Sequence, residues 1–204
     1  MLKGNKGEWS EVYVLLRLLA DRKLYAADEY LNKLDNIFFP IVKIIREEFQ
    51  NEKTEFIVEK VIKIFINGTE TISVPTSVFN SEANSLLKNM LDKKGKSAFS
   101  VERTENFMNS INCFILSAPS TNKSDITMKI HDINTGYSPT VGFSIKSELG
   151  NPPTLLNAGK STNFIFKLQH GNEQLIKETN NIYRISKDKK HIDLKGRISN
   201  IINH

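Results

Sequence analysis

Asp125, Ser144 and Lys146 flank a segment that alternates apolar and polar residues, DITMKIHDINTGYSPTVGFSIKS, running from Asp125 to Ser147. Side chains alternate faces along a β-strand. Ile126, Met128 and Ile130 therefore share one face of a first strand, and Asp125, Thr127, Lys129 and His131 share the other. In a second strand Val141, Phe143 and Ile145 oppose Gly142, Ser144 and Lys146. A tight turn centred on Thr135-Gly136 puts both apolar sets on one face and sets Asp125 across from Lys146 and Thr127 across from Ser144. Directly opposed Cβ atoms lie about 4.5–5.5 Å apart, so acid, hydroxyl and amine are expected to cluster at the open end of the hairpin. Pro139 disturbs the ladder. Asp132 is a rival acid, but its parity takes it off the polar face, and it lies near the turn, roughly 20 Å from Lys146 at about 3.3 Å per residue.

A carboxylate beside an amine on a sheet is, in the plainest reading, a cross-strand ion pair. The sharper reading is metal-dependent phosphodiester hydrolysis. A carboxylate there holds Mg²⁺, a hard cation that takes oxygen ligands. The ion polarises the phosphate and lowers the pKa of water, and the lysine stabilises the hydroxide and the phosphorane charge. One carboxylate binds such an ion poorly, and Ser144 brings no charge. A second acid is required from elsewhere.

The first helix offers it. Val12, Leu15, Leu16 and Leu19 recur at i, i+3, i+4, i+7, which predicts an amphipathic helix over about residues 7–21. On the helical wheel Glu8 and Glu11 fall inside the apolar arc, whereas Ser10, Tyr13 and Arg17 fall outside. A carboxylate on a packed face is costly without compensation. Either these acids favour the helix start through its dipole, or the helix points Glu11, with Glu8 as its substitute, at the metal.

The remaining elements must position these groups. FFPIVKIIREEF and TEFIVEKVIKIFIN read as strands, the first with a helical alternative, and Gly68 ends the second. Residues 77–93 and 100–112 read as helices separated at Lys93-Lys94-Gly95, and 118–124 as a loop. The hairpin follows, then the loop GNPPTLLNAGKST, a strand TNFIFKLQ, and polar, irregular elements after Gly171. The order implies an α/β or α+β fold.

The chain has 204 residues, a net charge of +5 and a pI near 9.2, which permits a polyanionic partner. The single Cys113 excludes a disulfide framework and suits a reducing compartment. The N-terminus is too charged for a signal peptide, and VYVLLRLLA is short and broken by Arg17, so a soluble cytoplasmic protein is expected, with no membrane span. His131, His170, His191 and His204 lack metal spacing, and His131 reads as structural. Trp9 reads as packing, and Lys187-Asp188-Lys189-Lys190 as a solvated turn or a DNA-backbone contact.

Asp125 followed by Ser144-Ile145-Lys146 resembles the PD-(D/E)xK nuclease pattern with serine in place of the second acid. Lys6-Gly7 followed by Glu11 resembles the helix-borne acid that some of these nucleases bring to the metal. GNKGEWSEVYVLLRLLADRKLYAAD (4–28) and GFSIKSELGNPPTLLNAGKSTNFIFKL (142–168) closely resemble the HpaII family of type II restriction endonucleases. The resemblance implies a restriction-endonuclease-like core with a mixed central sheet flanked by helices. It implies Mg²⁺-dependent cleavage of double-stranded DNA at a short site, CCGG in the namesake, blocked by cytosine methylation. Its system partner would be a cytosine methyltransferase, and a symmetric site favours a homodimer. Asp125 and Glu11, with Glu8 in reserve, would ligate the metal, Lys146 would act on the attacking water, and Ser144 would occupy the acid position.

The loop after Lys146 offers Asn157, Lys160, Ser161, Thr162 and Asn163 for DNA contacts, with Lys160 the better reader of guanine. Expected domains are a nuclease core over 1–170 with a helical insertion at about 77–113, and the start of a C-terminal extension over 171–204, the chain being a fragment of a longer protein. The alternatives are a catalytically inactive DNA-binding protein or fragment on a nuclease fold, and a nuclease specific for DNA structure.

Overall fold

The computed structural model describes residues 1–49, 52–95, 97–118, 124–149, 172–186, 189–193 and 196–198. They belong to two compact units, Met1–Leu155 and Leu156–His204.

In the first unit, helix α1 (Lys6–Asp21) opens with a capping box. The Asn5 side chain accepts from the Gly7 and Glu8 amides at 2.8 and 3.1 Å, and the Glu8 carboxylate accepts from the Asn5 amide at 2.7 Å. Trp9, Val12, Leu15, Leu16 and Leu19 form its buried stripe. Arg22 ends it in the left-handed region, φ 57°. Strands β1 (Lys23–Ala27), β2 (Lys33–Phe49), β3 (Glu52–Val58), β4 (Val61–Ile66) and β5 (Thr69–Pro75) follow. Then come helices α2 (Thr76–Asp92) and α3 (Glu102–Ser110) and strands β6 (Ile126–Ile130) and β7 (Thr140–Phe143).

The sheet runs β5-β4-β3-β2-β6-β7, with β1 also paired to β2. Ile44 of β2, Phe56 of β3, Ile62 and Ile64 of β4 and Met128 of β6 point to one face and join α1, α2 and α3 in a single core. The opposite face carries Lys43 and Lys53 around Glu55, at 2.8 and 3.4 Å. The expected α+β class, a sheet flanked by helices, is what forms. Its pairings among the described residues are antiparallel throughout; short turns impose this on strands adjacent in sequence, whereas β2 and β6 pair in the same way across the intervening strands and helices. The expected strand TNFIFKLQ lies outside the described residues.

Three local readings need correction. TEFIVEKVIKIFIN is two strands rather than one, with the chain reversing at Glu59-Lys60. The register pairs Phe56 with Ile64, so even-numbered residues stay on the core face through the turn and the alternation hides it. Ser10, expected outside the apolar arc, is buried, because α2 covers that side and brings the Met90 sulfur to 4.0 Å.

The third correction is the hairpin register. Ile126 pairs with Phe143 and Thr127 with Gly142, two residues from the expected alignment of Thr127 with Ser144. The turn forms where Asp132 dictates. Its carboxylate accepts from the Asn134 amide at 2.9 Å and the Thr135 hydroxyl at 2.7 Å, and Gly136 closes the loop with φ 73°. A shift of two preserves parity, so the expected faces survive.

In the second unit, α4 (Glu173–Asn180) is capped by Asn172, whose side chain accepts from the Leu175 amide at 2.8 Å. Strands β8 (Tyr183–Ser186) and β9 (Lys189–Ile192) form an antiparallel pair. No described helix is long and apolar enough to cross a membrane.

Candidate active site

Strands β2 and β6 pair from Ile41–Ile130 as far as Ile45–Thr127. Past that last pair a cleft of about 400 Å³ opens, lined by Arg46 and Glu47 of β2, by Ser124 and Asp125 ahead of β6, and by Ala118. Strand ends that part in this way leave backbone and side-chain polar groups facing one space.

Asp125 spans this cleft and the β7 side of the hairpin. Its amide donates to the Phe143 carbonyl at 3.0 Å, and its carboxylate accepts from the Ile145 amide at 2.6 Å. These two bonds bracket Ser144. Phe143, Ile145 and Leu149 pack against the core, so the intervening Ser144 and Lys146 are exposed. The expected direct opposition of Asp125 and Lys146 is therefore not made. Asp125 instead grips the backbone one residue before the lysine, and Lys146 keeps its ammonium out of the interior.

Helix α1 reaches the same place. Ser10 Oγ lies 2.8 Å from Ser147 Oγ, tying the first turns of the helix to the segment that carries Lys146. The next residue, Glu11, is half-buried, and its carboxylate accepts from the Ala118 amide at 3.3 Å. Burial raises its pKa above the usual 4.5, and the negative charge of Asp125 raises it further. The Ala118 amide, the Ser117 hydroxyl and the Arg46 guanidinium oppose the shift. The Ser117 hydroxyl is close enough to act on Glu11 while making no well-aligned hydrogen bond of its own. The two negative charges oppose one another, and a cation near them would offset that repulsion. Among the described residues no group of three or more His, Cys, Asp or Glu is placed to hold a metal ion.

Glu8, the reserve ligand, is engaged in the capping box of α1. Asn157, Lys160, Ser161, Thr162 and Asn163 lie outside the described residues. His131 Nδ1 is 2.9 Å from Ser138 Oγ, within the hairpin. Trp9 is fully buried, its indole donating to the Phe99 carbonyl at 3.0 Å. Cys113 is buried, and its thiol is pushed up to about 12.

Arg46 and Glu48 were not singled out from sequence. They are held together by a short Nε–Oε1 contact, with Glu48 buried at the end of β2. One signal was present: in IIREEF, Arg46 and Glu48 share the parity of Ile44, so both charges fall on the apolar face.

The model of the HpaII restriction endonuclease family matches residues 5–204. Over 190 residues the chain is 42% identical to the type II restriction enzyme HpaII of Haemophilus parainfluenzae, covering 93% of this chain and 53% of that protein. The chain thus spans about half the length of the curated relative it matches. No solved structure matches it.

Proposed function

Because the chain belongs to the HpaII restriction endonuclease family, we propose that it is a type II restriction endonuclease, or the nuclease part of one. It hydrolyses both strands of double-stranded DNA at a short site, CCGG, with Mg²⁺, and cytosine methylation of that site blocks it. The observations that support this reading are that Glu11, from the first helix, feels the negative charge of Asp125 and accepts from the Ala118 amide at the β2–β6 cleft, and that Asp125 accepts from the backbone one residue before Lys146.

Asp125 and Glu11 would hold the ion. Mg²⁺ in that position supplies Lewis-acid polarisation of the scissile phosphate and a more acidic water. Asp125, anchored by the Ile145 amide, keeps its other oxygen for the ion. Lys146, exposed beside it, stabilises negative charge on the attacking oxygen and the phosphorane. Ser144 stands in the acid position of the motif and offers a neutral hydroxyl. Lys160, with Asn157, Ser161, Thr162 and Asn163, is proposed to contact DNA. A palindromic site fits a homodimer, and a cytosine methyltransferase would protect the host's own sites.

Digestion of unmethylated phage DNA with Mg²⁺, followed by sequencing of the ends, is expected to return termini within CCGG. Lys146→Ala should lower cleavage by about 10²–10⁴-fold and leave DNA binding intact. Full cutting of a CCGG plasmid by that variant refutes the assignment.

A serine at position 144, where the nuclease motif has its second acid, favours a second reading, a DNA-binding protein that does not cut. Calorimetric titration of Mg²⁺ in the presence of a duplex separates the two. No metal uptake selects the second.

A further inference from the structure

The roles above leave the Arg46–Glu48 pair unused. Its geometry connects it to Glu11. The Glu48 side chain is fully buried and that of Arg46 is 13% exposed. One Glu48 oxygen accepts from the Phe114 and Ile115 amides at 2.7 and 3.1 Å, and the other takes Arg46 Nε. The same guanidinium donates to the Ile115 carbonyl. Both the donors and the acceptor of this stretch are thus clamped to the end of β2.

Three residues further on, Ala118 donates to the Glu11 carboxylate at 3.3 Å, and the buried Ser117 hydroxyl lies beside it. Between them, Leu116 is buried against the start of α1. A Cβ placed on Gly4 would meet Leu116 Cδ1 at 2.4 Å, so the Leu116 side chain packs directly on the Gly4 backbone. Segment 113–118 is therefore fixed at one end by β2 and at the other by the helix that carries the acid.

We propose that Arg46 and Glu48 are positioning residues for the metal-binding carboxylate: by clamping segment 113–118 to β2 they hold the Ala118 amide where it aims Glu11 at the Asp125 cleft. This rests on the reading of Glu11 and Asp125 as metal ligands. Apolar residues of similar volume often stabilise such a position as well as an ion pair does. They cannot supply directional bonds to both the N–H and C=O groups of the segment. Partners that orient a ligand in this way commonly change metal affinity by about 10–100-fold when removed.

The test is Mg²⁺ affinity, read by calorimetry on the protein without DNA and by the Mg²⁺ midpoint of cleavage. Glu48→Gln and Arg46→Met should each weaken binding by about 10–100-fold, with cleavage recovering as Mg²⁺ is raised. Arg46→Lys keeps the charge but loses the fork, and should fall between them and the wild type. The control is Glu82→Gln. Glu82 accepts from Arg103 at 2.7 Å on the α2–α3 side, away from the cleft, and its titration should stay within twofold of wild type.

Circular dichroism confirms that each titrated variant is folded. Where Glu48→Gln does not fold, Arg46→Lys carries the comparison. Unmoved titrations in folded variants, or an equal shift in the control, overturn the proposal. If wild type cleaves DNA while the variants titrate normally, this inference alone fails. If wild type binds Mg²⁺ but leaves DNA intact, the nuclease reading fails and the titrations still decide the positioning. A wild type that takes up no Mg²⁺ either alone or with a duplex overturns both.

Discussion

Replacing Glu48 by alanine should be among the most damaging single changes in the first unit. The side chain is 0% exposed. Its removal strands the Phe114 and Ile115 amides, which donate to it at 2.7 and 3.1 Å, and leaves the Arg46 cation without its partner. An unsatisfied buried donor costs about 1–3 kcal/mol. Breaking one side of a buried ion pair costs about 3–5 kcal/mol in total. The 13% exposure of Arg46 lets some water reach its charge, which favours the lower half of that range. For a chain of this size each kcal/mol moves Tm by about 2–4 °C, so a cost of about 3–4 kcal/mol should lower the Tm of Glu48→Ala by roughly 6–16 °C. The assay is thermal unfolding followed by circular dichroism, without metal. Combining Glu48→Leu with Arg46→Met should recover the part of the loss due to the stranded charge. It should not recover all of it, because the carboxylate to which both amides donate is gone. By contrast, Glu82→Ala breaks a pair whose Arg103 side chain is 62% exposed, and should cost about 0–1 kcal/mol. A Tm fall below about 2 °C for Glu48→Ala would refute the argument that this carboxylate clamps the segment.

Three further outcomes are expected. Because the folded-state pKa of Glu11 lies above its ordinary 4.5, the stability it contributes is present below that pH and is lost as pH rises through the raised value. Glu11→Gln should therefore gain stability relative to wild type as pH climbs from about 4.5, in denaturant unfolding without metal; a gain that shrinks with pH contradicts the burial argument. Cys113, with its thiol pushed up to about 12, should resist thiol reagents at pH 8 in the native protein and react once the chain is unfolded. Gly136→Ala should cost about 1 kcal/mol from backbone strain alone, since φ is 73° and nothing lies within 4 Å of the added methyl group; no loss would mean the turn can relax.

Some of the site could be read from the chain in one dimension. The 3.6-residue period of Val12, Leu15, Leu16 and Leu19 fixes which way α1 faces, and so brings Glu11 to the packed side. The period of two around Asp125 and Lys146 sets their faces, and a register error of two residues leaves those faces unchanged. The same even spacing concealed the β3–β4 turn, since parity carries through a two-residue reversal.

Local period is what the sequence determined by itself: the amphipathic first helix, the alternating hairpin, and the acids and amine these elements carry. Tertiary structure alone decided which distant groups meet them. Arg46 and Glu48 reach Phe114 and Ile115 across 66 to 69 residues, Glu11 meets the Ala118 amide across 107, and Ser10 meets Ser147 across 137. No repeat along the chain encodes such partners. They follow from how the helices settle on the sheet and from the need of each buried polar group for a partner.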